Sequence, residues 1–186
     1  VLDRAKIAEA MRQVIEAIGE DPQREGLAET PRRIAEMYAE LFSGLCQDPL
    51  EVLRGGFQGE KDEPVILRDI PFYSLCEHHF LPFYGVAHVG YVPNGRLVGI
   101  SKIARALDIL ARRPQVQERL TRQLAECILE AVDADGVGVV LEAEHLCLSM
   151  RGAQKPGTRV VTVAVRGPFR KGTFARSEFL ALVQGR

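Results

Sequence analysis

The sequence predicts an α+β chain, an antiparallel four-stranded sheet with two helices on one face, preceded by a helical N-terminal part. Three observations carry that expectation. Apolar residues recur at helical spacing before Gly55-Gly56. After Pro64 the pattern changes to short alternating runs rich in β-branched and aromatic residues. The later elements then follow as strand, strand, helix, helix, strand, strand, an order that folds most simply as an antiparallel sheet with its helices on one side.

From Asp3 to Glu20, the residues Ile7, Met11, Val14, Ile15 and Ile18 fall on one helical face, with Asp3 as cap and Gly19 near the end. Glu20 to Glu29 is polar, carries Pro22 and Gly26, and reads as a loop. Thr30-Pro31 opens a second helix, Thr30 as cap and Pro31 at the first helical position, with Ile34, Met37, Tyr38, Leu41 and Phe42 as its stripe. Asp48-Pro49 repeats the signal for a short third helix. Gln58 to Glu63 has no apolar residue, which marks a boundary between a helical subdomain, 1–60, and a second domain, 61–186.

Val65-Ile66-Leu67 and Phe83 to Val92 are predicted strands, the second alternating Val86, His88 and Val92 with Ala87, Val89 and Tyr91. Asn94-Gly95 predicts a hairpin turn, because both residues tolerate the positive φ that a tight turn demands. Leu97 to Ile100 is then the return strand. Ser101 caps a helix facing inward with Ile103, Leu107 and Leu110; Pro114 begins another with Val116, Leu120, Leu124, Ile128 and Val132, which Gly136 stops. Val137 to Leu141 and Arg159 to Val165 complete the sheet, and a C-terminal helix runs from about Phe174 to Val183.

The chain has 186 residues, which suits one domain with a full core and a smaller appendage. A formal net charge of -1 provides no general field for nucleic acid or an anionic membrane, so any anion site must be local. No apolar run approaches the roughly 20 residues of a membrane span, and Val1-Leu2-Asp3-Arg4 lacks the layout of a secretion signal. The expected setting is cytoplasmic, without nucleic acid or membrane partners, and the absent initiator Met points to processing or trimming. Free or metal-bound thiols are expected in such a compartment rather than disulfides. Cys46 and Cys127 read as buried, inert thiols within helical segments.

Chemistry concentrates in two places. Cys76-Glu77-His78-His79 holds two of the four histidines of the chain, and His145-Leu146-Cys147 gathers a third histidine with another cysteine. Cys76 and His79 have the C-x-x-H spacing that presents sulfur and nitrogen to one metal, and Cys147 adds a second thiolate. Two thiolates and an imidazole favour zinc over magnesium or calcium. Three protein ligands leave a fourth position open for chemistry, while a structural zinc closed by His78 or His145 stays as the alternative. On an extended strand His145 and Cys147 would point to the same side. Bound zinc brings the pKa of water to about 7, and His145 or His78 could then move protons. His88, mid-strand among Val and Ala, reads as a structural histidine. Ser101, Lys102 and Arg105 at a helix start, with Arg151 after the second cluster, form a candidate phosphate site. Gln117-Glu118 offers an amide and a carboxylate that match the donor edge of a purine.

On these residues the chain resembles the zinc-dependent GTP cyclohydrolase I family. The resemblance rests on Cys-Glu-His-His at 76 to 79, Gly-Ile-Ser-Lys-Ile-Ala-Arg at 99 to 105, Arg-Pro-Gln-Val-Gln-Glu-Arg-Leu-Thr at 113 to 121, His-Leu-Cys at 145 to 147 and Met-Arg-Gly at 150 to 152. It implies a tunnelling fold after an N-terminal helical part, assembled as a homodecamer of two pentameric rings with active sites at subunit interfaces. By position, Cys76, His79 and Cys147 would bind zinc, His145 would transfer the proton, and His78 and Ser101 would assist. Gln117 and Glu118 would hold guanine, and Lys102, Arg105, Arg151, Ser101 and Arg33 would contact triphosphate or ribose. The implied reaction opens the imidazole ring of GTP with water, releases formate and closes the rearranged ribose into dihydroneopterin triphosphate, the first step of the folate pathway.

Two departures stand out. Glu36 occupies a place where some members carry a lysine, and would repel a phosphate. The segment from Gly157 to Gly167 lacks the usual density of Thr and Ser, so that any role of those hydroxyls would not carry over. Two other readings compete with the resemblance: a tunnelling-fold enzyme acting on another purine or pterin, and a zinc-stabilised binding module without catalysis.

Overall fold

The computed structural model describes residues 2–60, 63–167 and 176–184. Helix α1, Arg4–Ala17, begins where the Asp3 carboxylate accepts a hydrogen bond from the Lys6 amide, as its sequence predicts. It packs on α2, Thr30–Leu41, and buries Ile15. Thr30 is the first helical residue and not the cap. Glu29 holds the cap position without capping, its carboxylate bonded to Arg32. The buried face of α2 is Pro31, Ala35 and, just beyond it, Phe42, while Met37 of the predicted stripe is exposed. A 3-10 turn, Ser43–Cys46, leads to α3, Pro49–Leu53, capped by Asp48 through the Leu50 amide. Cys46 is exposed in that turn, contrary to the expected buried thiol. Cys127 is half-buried, and burial pushes its thiol up to about 11, as an inert cysteine requires.

The predicted linker begins in structure: Phe57–Gln58 is a short strand, β1, while Lys61 and Asp62 lie outside the described residues. Strand β2, Val65–Cys76, is far longer than its first three residues suggest. Arg68-Asp69 breaks the apolar pattern because a bulge falls there, between Leu67 and Ile70, with Asp69 at φ 56. Strand β3, Pro82–Val92, pairs antiparallel with β2. After the turn at Asn94-Gly95 comes β4, Arg96–Leu97, which pairs with β1 and not with β3. The predicted hairpin fails for a definite reason. Both edges of β3 are taken, one by β2 and the other by a later strand.

Helix α4, Ile100–Ala111, follows with Gly99 at its cap position, so Ser101 lies in the first turn and makes no cap. Pro114–Gln115 forms β5, parallel to the end of β2, rather than the start of a helix. Helix α5 is Gln117–Val132, and Asp133 in the left-handed region (φ 48) ends it ahead of Gly136. Strands β6, Gly136–His145, and β7, Arg159–Arg166, frame a one-turn helix α6, Leu146–Ser149. The main sheet has the order β5-β2-β3-β6-β7, and its four long strands are antiparallel throughout. This is the expected α+β arrangement, an antiparallel sheet after a helical N-terminal part.

Alternation decides the two faces. Ala87, Val89 and Tyr91 turn toward α4 and α5, where Ile103, Leu107, Leu120, Leu124 and Ile128 are fully buried. Each such Leu or Ile contributes about 1.5–3 kcal/mol on leaving water. The opposite face is covered in part by α7, Arg176–Gln184, whose Phe179 packs with Val92 and Val140. Phe174, where that helix is expected to begin, lies outside the described residues.

Candidate active site

At one end of the sheet β2 finishes on Cys76. The chain then folds back on itself: the Phe80 amide donates to the Cys76 carbonyl at 2.8 Å, and the Cys76 amide to the Leu81 carbonyl at 2.9 Å. Phe80 takes φ 52 to close the turn, and its ring packs on Tyr38 and Phe42, seating the N-terminal helices beside the cluster. Register brings in the second cluster, because β3 and β6 pair Phe83 with His145. The strand stops there. Cys147 lies in α6 rather than on an extended strand with His145, so the expected same-side alternation does not hold, yet the helical turn carries its sulfur inward. One ligand atom each from Cys76, His79 and Cys147 lie within 4.8 Å of one another.

The donor set fits a soft divalent cation. Burial, then the neighbouring Cys76 sulfur, pushes the Cys147 thiol up, and a cation between the two sulfurs would reverse that cost. Glu77, inside the same motif, is withheld from the metal set. Its carboxylate takes two hydrogen bonds from Arg119 of α5, at 2.6 and 2.9 Å, and these hold it below the usual carboxylate range. The two residues are 42 apart in sequence, and no spacing rule links them. His78 is exposed, with Nδ1 3.8 Å from the Cys76 sulfur, and neither it nor His145 joins the converging set. A guanidinium nitrogen of Arg151 lies 3.1 Å from His79 Nε2.

His145 stacks on Phe83, ring centroids 4.6 Å apart and planes 3° from parallel. Burial lowers its pKa, and exposed Glu118 at the start of α5 opposes that shift. Its Nε2 is 2.7 Å from the side-chain oxygen of Gln117. Gln117 itself is 1% exposed, and its amide nitrogen faces the carbonyls of Leu141 and Val160 and the hydroxyl of Thr162. That hydroxyl belongs to the segment whose Thr and Ser content looked uninformative. Phe83, Arg119, Thr121 and Thr162 are the residues that sequence reasoning missed.

The remaining candidates lie elsewhere. Ser74, two residues before Cys76, donates to the carbonyl of Ala111, so the metal cluster adjoins the C-terminal end of α4. Arg105 lies near the middle of that helix, about 9 Å from Ala111 at its 1.5 Å rise per residue, and Ser101 and Lys102 lie in its first turn, about 14–15 Å from Ala111. There Lys102 donates to the Arg54 carbonyl behind α3. Arg33 is exposed on α2, and Glu36 bonds Arg32 at 2.7 Å, which offsets the charge that would face a phosphate. A single chain therefore spreads its candidates along α4, with Ser101 and Lys102 at one end, Arg105 near the middle and the cluster at the other end.

The chain matches the family described as GTP cyclohydrolase I over residues 7–184. It is 58% identical over 186 residues to GTP cyclohydrolase 1 of Dehalococcoides mccartyi, covering 99% of this chain and 98% of that one. Identity is 54% over 187 residues both to GTP cyclohydrolase 1 of Caldanaerobacter subterraneus subsp. tengcongensis, with 100% of both chains covered, and to that of Thermobifida fusca, with 100% of this chain and 90% of the other. Similarity of this extent, over a chain whose paired sulfurs and imidazole converge beside a stacked histidine, establishes that the protein is an enzyme of the GTP cyclohydrolase I family.

Proposed function

We propose that the protein converts GTP and water to 7,8-dihydroneopterin triphosphate and formate, the first step of tetrahydrofolate biosynthesis, in the cytoplasm and with zinc at Cys76, His79 and Cys147. The observation that carries the reading is the convergence of those three ligand atoms beside His145. When bound, zinc supplies Lewis-acid activation of water at neutral pH. Glu118, whose side chain is exposed, accepts hydrogen bonds from the donor edge of guanine in this reading. His145 gives a proton to the ring nitrogen of the base as the carbon–nitrogen bond breaks, with His78 assisting at the rim. Arg151, adjacent to His79, faces the phosphate or ribose side.

Lys102, Arg105, Ser101 and Arg33 are assigned to the triphosphate and ribose. The position of Lys102 supports an assembly, since it stands at the far end of α4 from the cluster in its own chain. We place the complete site between subunits of a homo-oligomer, a decamer of two pentameric rings. Residues 1–60 form the helical subdomain that seats Phe80, and 61–186 the catalytic domain.

The test is formate release from GTP by purified protein, by a zinc-stripped sample and by the same sample with zinc restored. Activity should vanish and return, while circular dichroism stays native throughout, because the buried core beneath α4 and α5 does not depend on the metal. Formate absent from folded, zinc-loaded oligomer would overturn the assignment of the reaction. Unfolding on mild chelation would favour a structural zinc in its place.

A further inference from the structure

We infer that Gln117 is a positioning residue that holds His145 in the tautomer protonated on Nε2, which leaves Nδ1 as the nitrogen that exchanges the catalytic proton. The inference deepens the proposed role of His145 and rests on that role for its mechanistic meaning. The hydrogen bonds around Gln117 run in one consistent direction. Thr121 donates its hydroxyl proton to the Gln117 backbone carbonyl at 2.7 Å. A hydroxyl has one proton, so in the 2.6 Å contact between Thr121 Oγ1 and Thr162 Oγ1 it is Thr162 that donates. Thr162 Oγ1 is then left as an acceptor toward the Gln117 side chain, 3.0 Å away.

The same end of that side chain faces the carbonyls of Leu141 at 3.0 Å and Val160 at 2.9 Å, which can only accept. Three acceptors fix the amide nitrogen at this end. Reversing the amide would set an oxygen against all three inside a site that is 1% exposed, leaving them unsatisfied. The amide oxygen must therefore face His145 Nε2 at 2.7 Å, and an amide oxygen only accepts. Nε2 carries the hydrogen. In the neutral ring Nδ1 is bare, and among the described residues no hydrogen bond reaches it. Phe83, stacked face to face on the ring, sets the plane in which that lone pair lies.

A second consequence concerns the substrate. Both ends of the Gln117 amide are occupied by protein groups, so the guanine contact expected of it has no free atom in this chain. Recognition of the base then falls to exposed Glu118, and Gln117 acts through His145.

The experiment is nitrogen-15 NMR of the assembled, zinc-loaded enzyme with labelled histidine at neutral pH, using His145→Ala to assign the resonances. Expected are a proton-coupled Nε2 and an unprotonated Nδ1 for His145. A protonated Nδ1 with a bare Nε2 in the wild-type spectrum overturns the inference, and no variant need fold for that result. Thr162→Val, which keeps the shape and removes the acceptor, should lower kcat about tenfold with KM unchanged and mix the two tautomers, as loss of an orienting partner does. Thr162→Ser should restore both. Wild-type kcat in Thr162→Val counts against the inference, as does a fall that Thr162→Ser fails to rescue. The spectrum is recorded without substrate, so failure of the tautomer assignment and failure of the GTP assignment are separate results.

Discussion

His88 and His145 are both largely enclosed imidazoles on neighbouring strands, and their partners give them different work. His88 Nδ1 accepts a hydrogen bond from the Asp69 amide at 3.2 Å, which pins the bulge of β2. Burial lowers its pKa from the ordinary 6.5, with Arg68 in the same direction and Asp69 and Glu142 opposing. The folded chain thus binds the proton more weakly than the unfolded chain. The contribution of His88 is complete above the unfolded value of 6.5 and is lost as pH falls below it toward the folded value. Urea unfolding of wild type and His88→Gln between pH 8 and 5 checks this: the variant, whose amide oxygen can still accept from Asp69, should lose less stability below about 6.5. Identical pH slopes would sink the idea. The convergence of Cys76, His79 and Cys147 was legible because cysteine and histidine are scarce here and fall in two short clusters. Gln117 was legible as a candidate but its hydrogen bonds were not, since its partners come from two strands, β6 and β7, that only sheet pairing brings together.

At the scale of elements, helices were read from periodicity, and their starts only where an aspartate caps, at Asp3 and Asp48. Ser101 and Pro114 carry strong start signals, yet α4 begins one residue earlier and Pro114 enters a strand, because β2 offers its edge at Leu75 and Cys76. Asn94-Gly95 does make a turn, and only occupancy of both β3 edges denies it a hairpin. Such competition is a property of the sheet and has no local signature. One feature of β3 and β6 is local in cause and long-range in effect: Gly90 and Gly138 are register partners, and the Phe179 ring of α7 lies over both. A Cβ at Gly138 would come within 2.5 Å of that ring, and one at Gly90 within 2.7 Å. Gly138→Ala should therefore push α7 off the sheet and destabilise the protein by about 1–3 kcal/mol, the usual cost of overpacking. Thermal unfolding measures the loss. Gly138→Ala combined with Phe179→Leu should recover part of it, and a single variant as stable as wild type would show that α7 is not held by this contact.

For the whole molecule, the separation along α4 has the widest consequence. Ser74, two residues before Cys76, bonds the helix end at Ala111, whereas Lys102 lies in its first turn, about 14 Å off. In the proposed site between subunits, Cys76 and Lys102 act on one GTP from different copies of the chain. Cyclic symmetry then places the first half of every site on one subunit and the second half on its neighbour. Cys76→Ser and Lys102→Met enzymes should each be inactive or severely impaired alone. Unfolded together and reassembled in equal amounts, they should regain roughly a quarter of wild-type turnover, the chance that a site draws its cluster from one parent and its cation from the other. Formate release by the mixture, compared with each variant reassembled separately, reads the outcome. A mixture no better than the mean of its parents, in oligomers shown by native mass spectrometry to contain both chains, would mean that Cys76 and Lys102 serve the site from the same subunit. Recovery near one quarter would show that each site is shared, with the zinc cluster and the phosphate cations supplied by adjacent subunits.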